Sequence, residues 1–228
     1  MTTLPDLFSR IVATKASLPF VTYYNDATGE RAELSAKSLG NWVAKIHFLM
    51  MDSLGLGPGS AVSLQMSPDW LGVATALGSW YAGLTVVEGP ADVAVVDVTR
   101  TEEADADEVF VVDQTKLSRM CLPSAGVQDL VTAVRPQPDA WATVRSQASD
   151  EDFCLNKATH SEVVAQATER ATGAGIADGA RLLFSASSAD WLDDLAVILA
   201  VGGSIVLVSN ATSDRHDTIA TQENAAVR

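Results

Sequence analysis

The sequence predicts an α/β protein, with a mixed or mostly parallel sheet and helices on both faces. Two observations predict it. Short, apolar, β-branched runs alternate with longer stretches whose apolar residues recur at three- and four-residue spacing, the pattern of strands joined by crossover helices. The punctuation agrees: Ser or Thr stands before the helical stretches and Gly after them, where capping hydroxyls and left-handed backbone are needed.

The first helix covers 4–16, with Leu4, Leu7, Phe8, Ile11 and Val12 on one side. "FVTYY" (20–24) and "RAEL" (31–34) flank the turn-rich "NDATGE" and form a hairpin. Ser35 caps a second helix carrying Leu39, Trp42, Val43, Ile46, Leu49 and Met50, which Gly55 terminates. "AVSLQM" (61–66) is a strand, after which Ser67 as N-cap and Pro68 as first helical residue open a helix that runs to Gly83. "LTVVEG", "VAVVDV" and "EVFVVD" are further strands, the last two separated by an exposed acidic connection over 97–107.

Residues 114–158 form a less regular connection, in which Pro123, Pro136 and Pro138 interrupt short helical patches. Order resumes at Thr159, which with Glu162 makes a capping-box pattern for a helix reaching about Thr172. "ARLLFS" (180–185), "ADWLDDLAVILAVGG" and "SIVLVS" (204–209) follow as strand, helix and strand. The chain is thus expected to be a single α/β domain over 1–209 in two blocks, 1–113 and 159–209, with a polar, mobile tail at 210–228. Gly83 and Gly203 are each expected at a helix-to-strand junction.

Composition narrows the function. The 228 residues carry 29 acidic and 15 basic side chains, a formal charge of −14, which repels nucleic-acid phosphates and anionic membrane surfaces. No apolar run reaches membrane-spanning length, and "MTTLPDLFSR" lacks a basic region followed by an apolar stretch. Cys121 and Cys154 lie far apart, without metal-type spacing, and read as reduced thiols of a cytoplasmic protein.

Candidate chemistry is sparse. His47 falls in a core-patterned helix, His160 at a helix start and His216 in the polar tail, none beside a ligand set for metal. "FSASSAD" has no glycine around its serines, so Ser187 or Ser188 reads as an N-cap rather than a nucleophile. Asp193 and Asp194 suit the first turn of a helix, where negative charge complements the dipole. Trp42, Trp70, Trp80 and Trp191 read as core residues. No catalytic residue, metal ligand or cofactor is expected, and no cofactor-binding residue is assigned.

"FVTYYNDATGERAELS", "LGNWVAKIHFLMMDSLGLGPGS", "AVSLQM", "SPDW" and "WYAGLTVV" occur in that order. In order and spacing they resemble the N-terminal part of the adenylate-forming superfamily, the acyl-CoA synthetase-like enzymes. "THSEVVAQATERA" is similar to the helix that follows that family's phosphate loop, and 178–209 to the strand, loop, helix and strand beyond it. Ser188, Ala189 and Asp190 fall where the family places an aromatic residue and aspartate near its acyl pocket, but Ala189 replaces the aromatic and Trp191 comes one place later.

The resemblance implies a Ser/Thr/Gly-rich loop ending in Pro-Lys-Gly just before Thr159. The sequence there is "SQASDEDFCLNKA" (146–158), without glycine and with Asp150, Glu151 and Asp152. Such a segment forms no phosphate-cradling nest and repels a triphosphate. The family's adenine, ribose and C-terminal lysine motifs have no counterpart in the 228 residues. The expectation is therefore a non-catalytic binding or interaction protein on an adenylate-forming scaffold; the alternative is a nucleotide- or acyl-binding module with residual or altered chemistry. A homodimer or protein partner is expected through 189–208, on the view that "SIVLVS" lies near a sheet edge and the helix before it is uncovered.

Overall fold

The computed structural model describes residues 2–116, 118–122 and 126–228; Pro123 lies outside them. The α/β expectation holds, with two sheets in place of one. Cα packing also divides the chain differently from sequential blocks. One compact unit takes 1–40, 68–73 and 161–228, the other 41–67 and 74–160.

In the first unit, α1 (Leu4–Lys15) begins with a capping box, Thr3 and Asp6 exchanging side-chain-to-backbone hydrogen bonds. It buries Leu4, Phe8, Ile11 and Val12, the stripe its periodicity predicts. β1 (Pro19–Asn25) and β2 (Glu30–Ser35) form the expected antiparallel hairpin. Ser35 Oγ accepts from Ser38 N at 3.2 Å and so caps α2 (Ala36–Phe48).

α2 ends through a π-type turn over Leu49–Ser53. Gly55 stands beyond it at φ +69°, and Leu56 N closes back onto Met50 O at 2.9 Å. A residue without Cβ adopts that conformation without steric cost. β3 (Ala61–Gln65) follows. The next helix, α3 (Trp70–Tyr81), starts two residues later than the sequence reading has it. Asp69 is its N-cap, its Oδ1 accepting from Leu71 N and Gly72 N at 2.9 and 2.8 Å. Ser67 instead pairs its backbone with the side chain of Gln114.

The second unit is built on a seven-stranded sheet. β4 (Thr85–Val87), β5 (Ala91–Asp97), β6 (Ala106–Val112), β7 (Gln128–Asp129), β8 (Phe153–Leu155) and β9 (Ala158–Thr159) join β3 in the order β7-β6-β5-β3-β4-β8-β9. All neighbours are parallel except β8 and β9. The connection read as irregular thus contributes three short strands and α4 (Leu130–Val134), capped by Asp129. Gly78 lets α2 and α3 approach: a Cβ there would lie 2.6 Å from Ile46 Cγ2.

Returning to the first unit, α5 (His160–Gly173) leads to β10 (Arg181–Ser185), α6 (Trp191–Ala200), β11 (Ser204–Ser209), α7 (Ser213–Glu223) and β12 (Ala226–Val227). The five-stranded sheet runs β12-β10-β11-β1-β2. Two expectations fail here. β11 is interior, hydrogen-bonded in parallel to both β10 and β1, because the N-terminal hairpin closes the side that the sequence order leaves open. The tail is no mobile polar segment: α7 packs Ile219 and Ala220 onto Leu183, Val206 and Val208.

Both predicted glycine junctions hold. Gly83, at φ +82°, separates α3 from β4. Gly202, at φ +61°, and Gly203 separate α6 from β11.

Candidate functional site

Parallel strands concentrate ligand sites at their C-terminal ends, where loops and helix N-termini converge. In the first unit, a cleft of about 370 Å³ opens beyond the end of β10, lined by Arg170, Phe184, Ser188, Asp190, Asp194 and Val197 among others. Phe184 and Val197 come from the apolar periodicity of β10 and α6 and are buried. The polar lining comes from the "SASSAD" turn between them. Ser185 and Ser187 hydroxyls lie 2.7 Å apart.

Neither Ser187 nor Ser188 caps α6, contrary to the sequence reading. Asp190 holds that position without a side-chain cap bond. Ser188 Oγ instead donates to Asp194 Oδ2 at 3.3 Å, and Arg170 Nη2 donates to Asp194 Oδ1 at 3.0 Å. Burial pushes the Asp194 carboxyl above its ordinary pKa, against the pull of Arg170 and of the Ser188 hydroxyl. Asp193 is raised by the same cause, with Asp190 adding repulsion. The cleft therefore offers an apolar wall, two guanidinium groups from Arg170 and Arg228, and two carboxylates. The Ser188 hydroxyl rests on the Asp194 carboxylate, whose other oxygen is held by Arg170, an arrangement that can bind and orient a polar group.

In the second unit, the end of the 146–158 segment, where the resemblance implies a phosphate loop, is a tight hairpin. β8 and β9 pair antiparallel, Phe153 with Thr159 and Leu155 with Ala158. Only Asn156 and Lys157 join them, Asn156 taking a left-handed φ of +52°. The tip is tied down: Asn156 N donates to Val86 O at 2.7 Å, and its Oδ1 accepts from Glu88 N at 3.1 Å. Asp152 turns its carboxylate onto Ser149 N at 2.7 Å, and Lys157 is exposed. Two residues cannot present the several converging amides that hold a polyphosphate.

The remaining candidates are dispersed. His47 is buried on α2, and desolvation lowers its pKa, with the Tyr81 backbone and Asp52 opposing. His160 is fully buried at the start of α5 and His216 half-buried on α7. No group of three His, Cys, Asp or Glu among the described residues is disposed to hold a metal ion. Cys121 and Cys154 are buried free thiols; burial and the Asp129 carboxylate push Cys121 up to about 11. Trp70, Trp80 and Trp191 are core residues, Trp42 half-buried. Within the 189–208 stretch expected at a homodimer or partner contact, Trp191, Leu195 and Leu199 are 7%, 0% and 1% exposed in the single chain. No described helix is long and apolar enough to cross a membrane.

Comparison with known proteins gives three kinds of result. No family model matches the chain. It is 35% identical over 207 residues to a "TIGR03089 family protein" of Mycobacterium tuberculosis (strain ATCC 25618 / H37Rv), a match covering 84% of this chain and 83% of that protein. Among solved structures, acetoacetyl-CoA synthetase from Streptomyces lividans superposes with a TM-score of 0.78 at 15% identity, covering 98% of this chain and 41% of that one. Brucella canis acyl-CoA synthetase gives 0.77 at 15% identity, with coverage of 99% and 47%. The N-terminal domain of FACL13 from Mycobacterium tuberculosis, bound to an inhibitor, gives 0.75 at 12% identity, with coverage of 99% and 62%. At these identities the structural likeness shows the fold, that of the N-terminal portion of adenylate-forming acyl-CoA ligases. The chain spans about half the length of an anthranilate CoA ligase that it matches, 48%.

Proposed function

The chain belongs to the TIGR03089 family, and on that premise we propose that it is a non-catalytic binding or interaction protein built on an adenylate-forming scaffold. One observation carries the reading: the two-residue Asn156–Lys157 turn, pinned to β4, where the resemblance calls for a glycine-rich phosphate loop. Asp150, Glu151 and Asp152 just before it add charge of the wrong sign for a triphosphate. Loss of one donor to a developing charge commonly costs about a hundredfold or more in rate, and here the whole loop is gone. The buried free thiols of Cys121 and Cys154 support a reducing, cytoplasmic setting.

Exchange of labelled pyrophosphate into ATP, run with a panel of carboxylic acids, tests the proposal. No acid-dependent exchange above the blank is expected. Exchange that disappears when a residue of this chain is mutated overturns it.

A second reading rests on the cleft beyond β10. Its apolar wall beside Arg170 and Asp190 supports a binding module for a nucleotide or acyl ligand. A ligand that binds only the native state raises the melting temperature. Thermal stabilisation by ATP, CoA or an acyl-CoA, lost on Phe184→Ala, favours this reading. No shift with any of them leaves an interaction role.

A further inference from the structure

Little apolar surface holds α7 to its sheet. Of its eleven residues only Ile219 and Ala220 are buried, whereas the ten-residue α6 buries Trp191, Leu195, Ala196, Val197, Ile198 and Leu199. β12 adds two residues of parallel pairing, Ala226 with Leu182 and Val227 with Leu183. Ordering sixteen residues, 213–228, against their chain entropy needs more than that.

The rest comes from one carboxylate. Glu223 Oε2 accepts from Arg181 Nη2 at 2.7 Å, and Oε1 accepts from Arg31 Nη2 at 3.0 Å and from the Tyr24 hydroxyl. The three partners stand on three strands, β10, β2 and β1. Each is held independently of α7: Arg181 donates to Thr22 Oγ1 at 2.7 Å and Ser204 Oγ at 3.1 Å, and Arg31 to the Tyr24 hydroxyl at 2.8 Å and Glu33 at 2.6 Å. The sheet thus presents a preorganised two-guanidinium socket for an anion, filled from within the chain. A second ion pair, Arg215 with Asp26, is more than a third exposed on both sides and contributes little.

From this geometry we infer that α7 and β12 form a latch bolted by Glu223. With the carboxylate seated, residues 213–228 close over the sheet. With it withdrawn, residues 213–228 leave as a unit and bare Leu183, Val206, Val208 and the edge of β10. Withdrawal also strands Arg181, whose side chain is 16% exposed, without its carboxylate partner, which keeps the latch closed at rest. The latch rests on the Glu223 contacts and not on the Asn156–Lys157 turn, so it holds whether or not the chain has lost adenylation chemistry; its last residue, Arg228, also lines the cleft.

Hydrogen–deuterium exchange read by peptide tests it on the full chain. Glu223→Gln keeps the shape and removes the charge. Exchange over 213–228 should quicken at least tenfold, while α6 and β11 keep wild-type protection. Tyr24→Phe, which removes one of the three bonds, should quicken the same segment about threefold and serves if Glu223→Gln fails to fold. Unchanged rates over 213–228 in the folded variants, or an equal rise across α6 and β11, overturns the latch.

Discussion

Burial holds the His47 imidazole below its usual pKa, while three donors hold Glu223 down to about 2 against the cost of its own burial. Both folded-state values lie below the unfolded ones, so both groups contribute stability that is lost as pH falls. For His47 the loss begins below about 6.5; for Glu223 it runs from about 4.5, its unfolded value, down to about 2. Urea unfolding from pH 7 to pH 3 should show two stages of loss, the upper flattened by His47→Gln and the lower by Glu223→Gln. A single stage unaffected by either variant contradicts these assignments. Neither role was legible in sequence. His47 could be placed in a core helix, but its desolvation depends on what packs against that helix. Glu223 stood in a polar tail, and its partners are 42 to 199 residues away along the chain. Asp69 differs: the sequence reading places the cap at Ser67, and Asp69 takes that role because its carboxylate reaches the first free amides, those of Leu71 and Gly72.

Elements were the most legible scale, because periodicity and caps are local. The hairpin, the strands over 61–65 and 85–112, α6 and β11 follow their patterns, and both glycine junctions sit where punctuation put them. Gly203 shows why that punctuation is strict. A Cβ there would lie 2.2 Å from Ala180 O, well inside contact distance, and the obstacle is backbone. Gly203→Ala should therefore destabilise the first unit by about 2 kcal/mol or more, whereas Gly173→Ala, in open space within α5, should be neutral or mildly stabilising. Equal urea midpoints for the two variants would show that the Ala180 carbonyl yields freely. The short strands β7, β8, β9 and β12 escaped the sequence reading. Two or three residues carry no period, and their conformation is set by the strand they pair with.

At the scale of the molecule, the expected homodimer or protein partner rested on β11 lying near an edge and on α6 being uncovered, and the single chain covers both. β11 is interior, and Leu195 is fully buried in the single chain. Leu195→Asp should accordingly lower stability by several kcal/mol at every protein concentration, with no shift between dimer and monomer in light scattering. A variant of unchanged urea midpoint but halved mass would restore the dimer. The sequence by itself determined the α/β class, the resemblance in fold to the N-terminal portion of adenylate-forming enzymes and the lack of glycine over 146–158, since these depend on composition, order and local spacing. Only the tertiary structure decided that there are two sheets, that β11 is enclosed, and that the last helix is bolted to the first hairpin. Parallel pairing joins β1 to β11 across Val21 and Ile205, and contacts of that separation have no period or cap to announce them. They are chosen by the packing free energy of the whole unit.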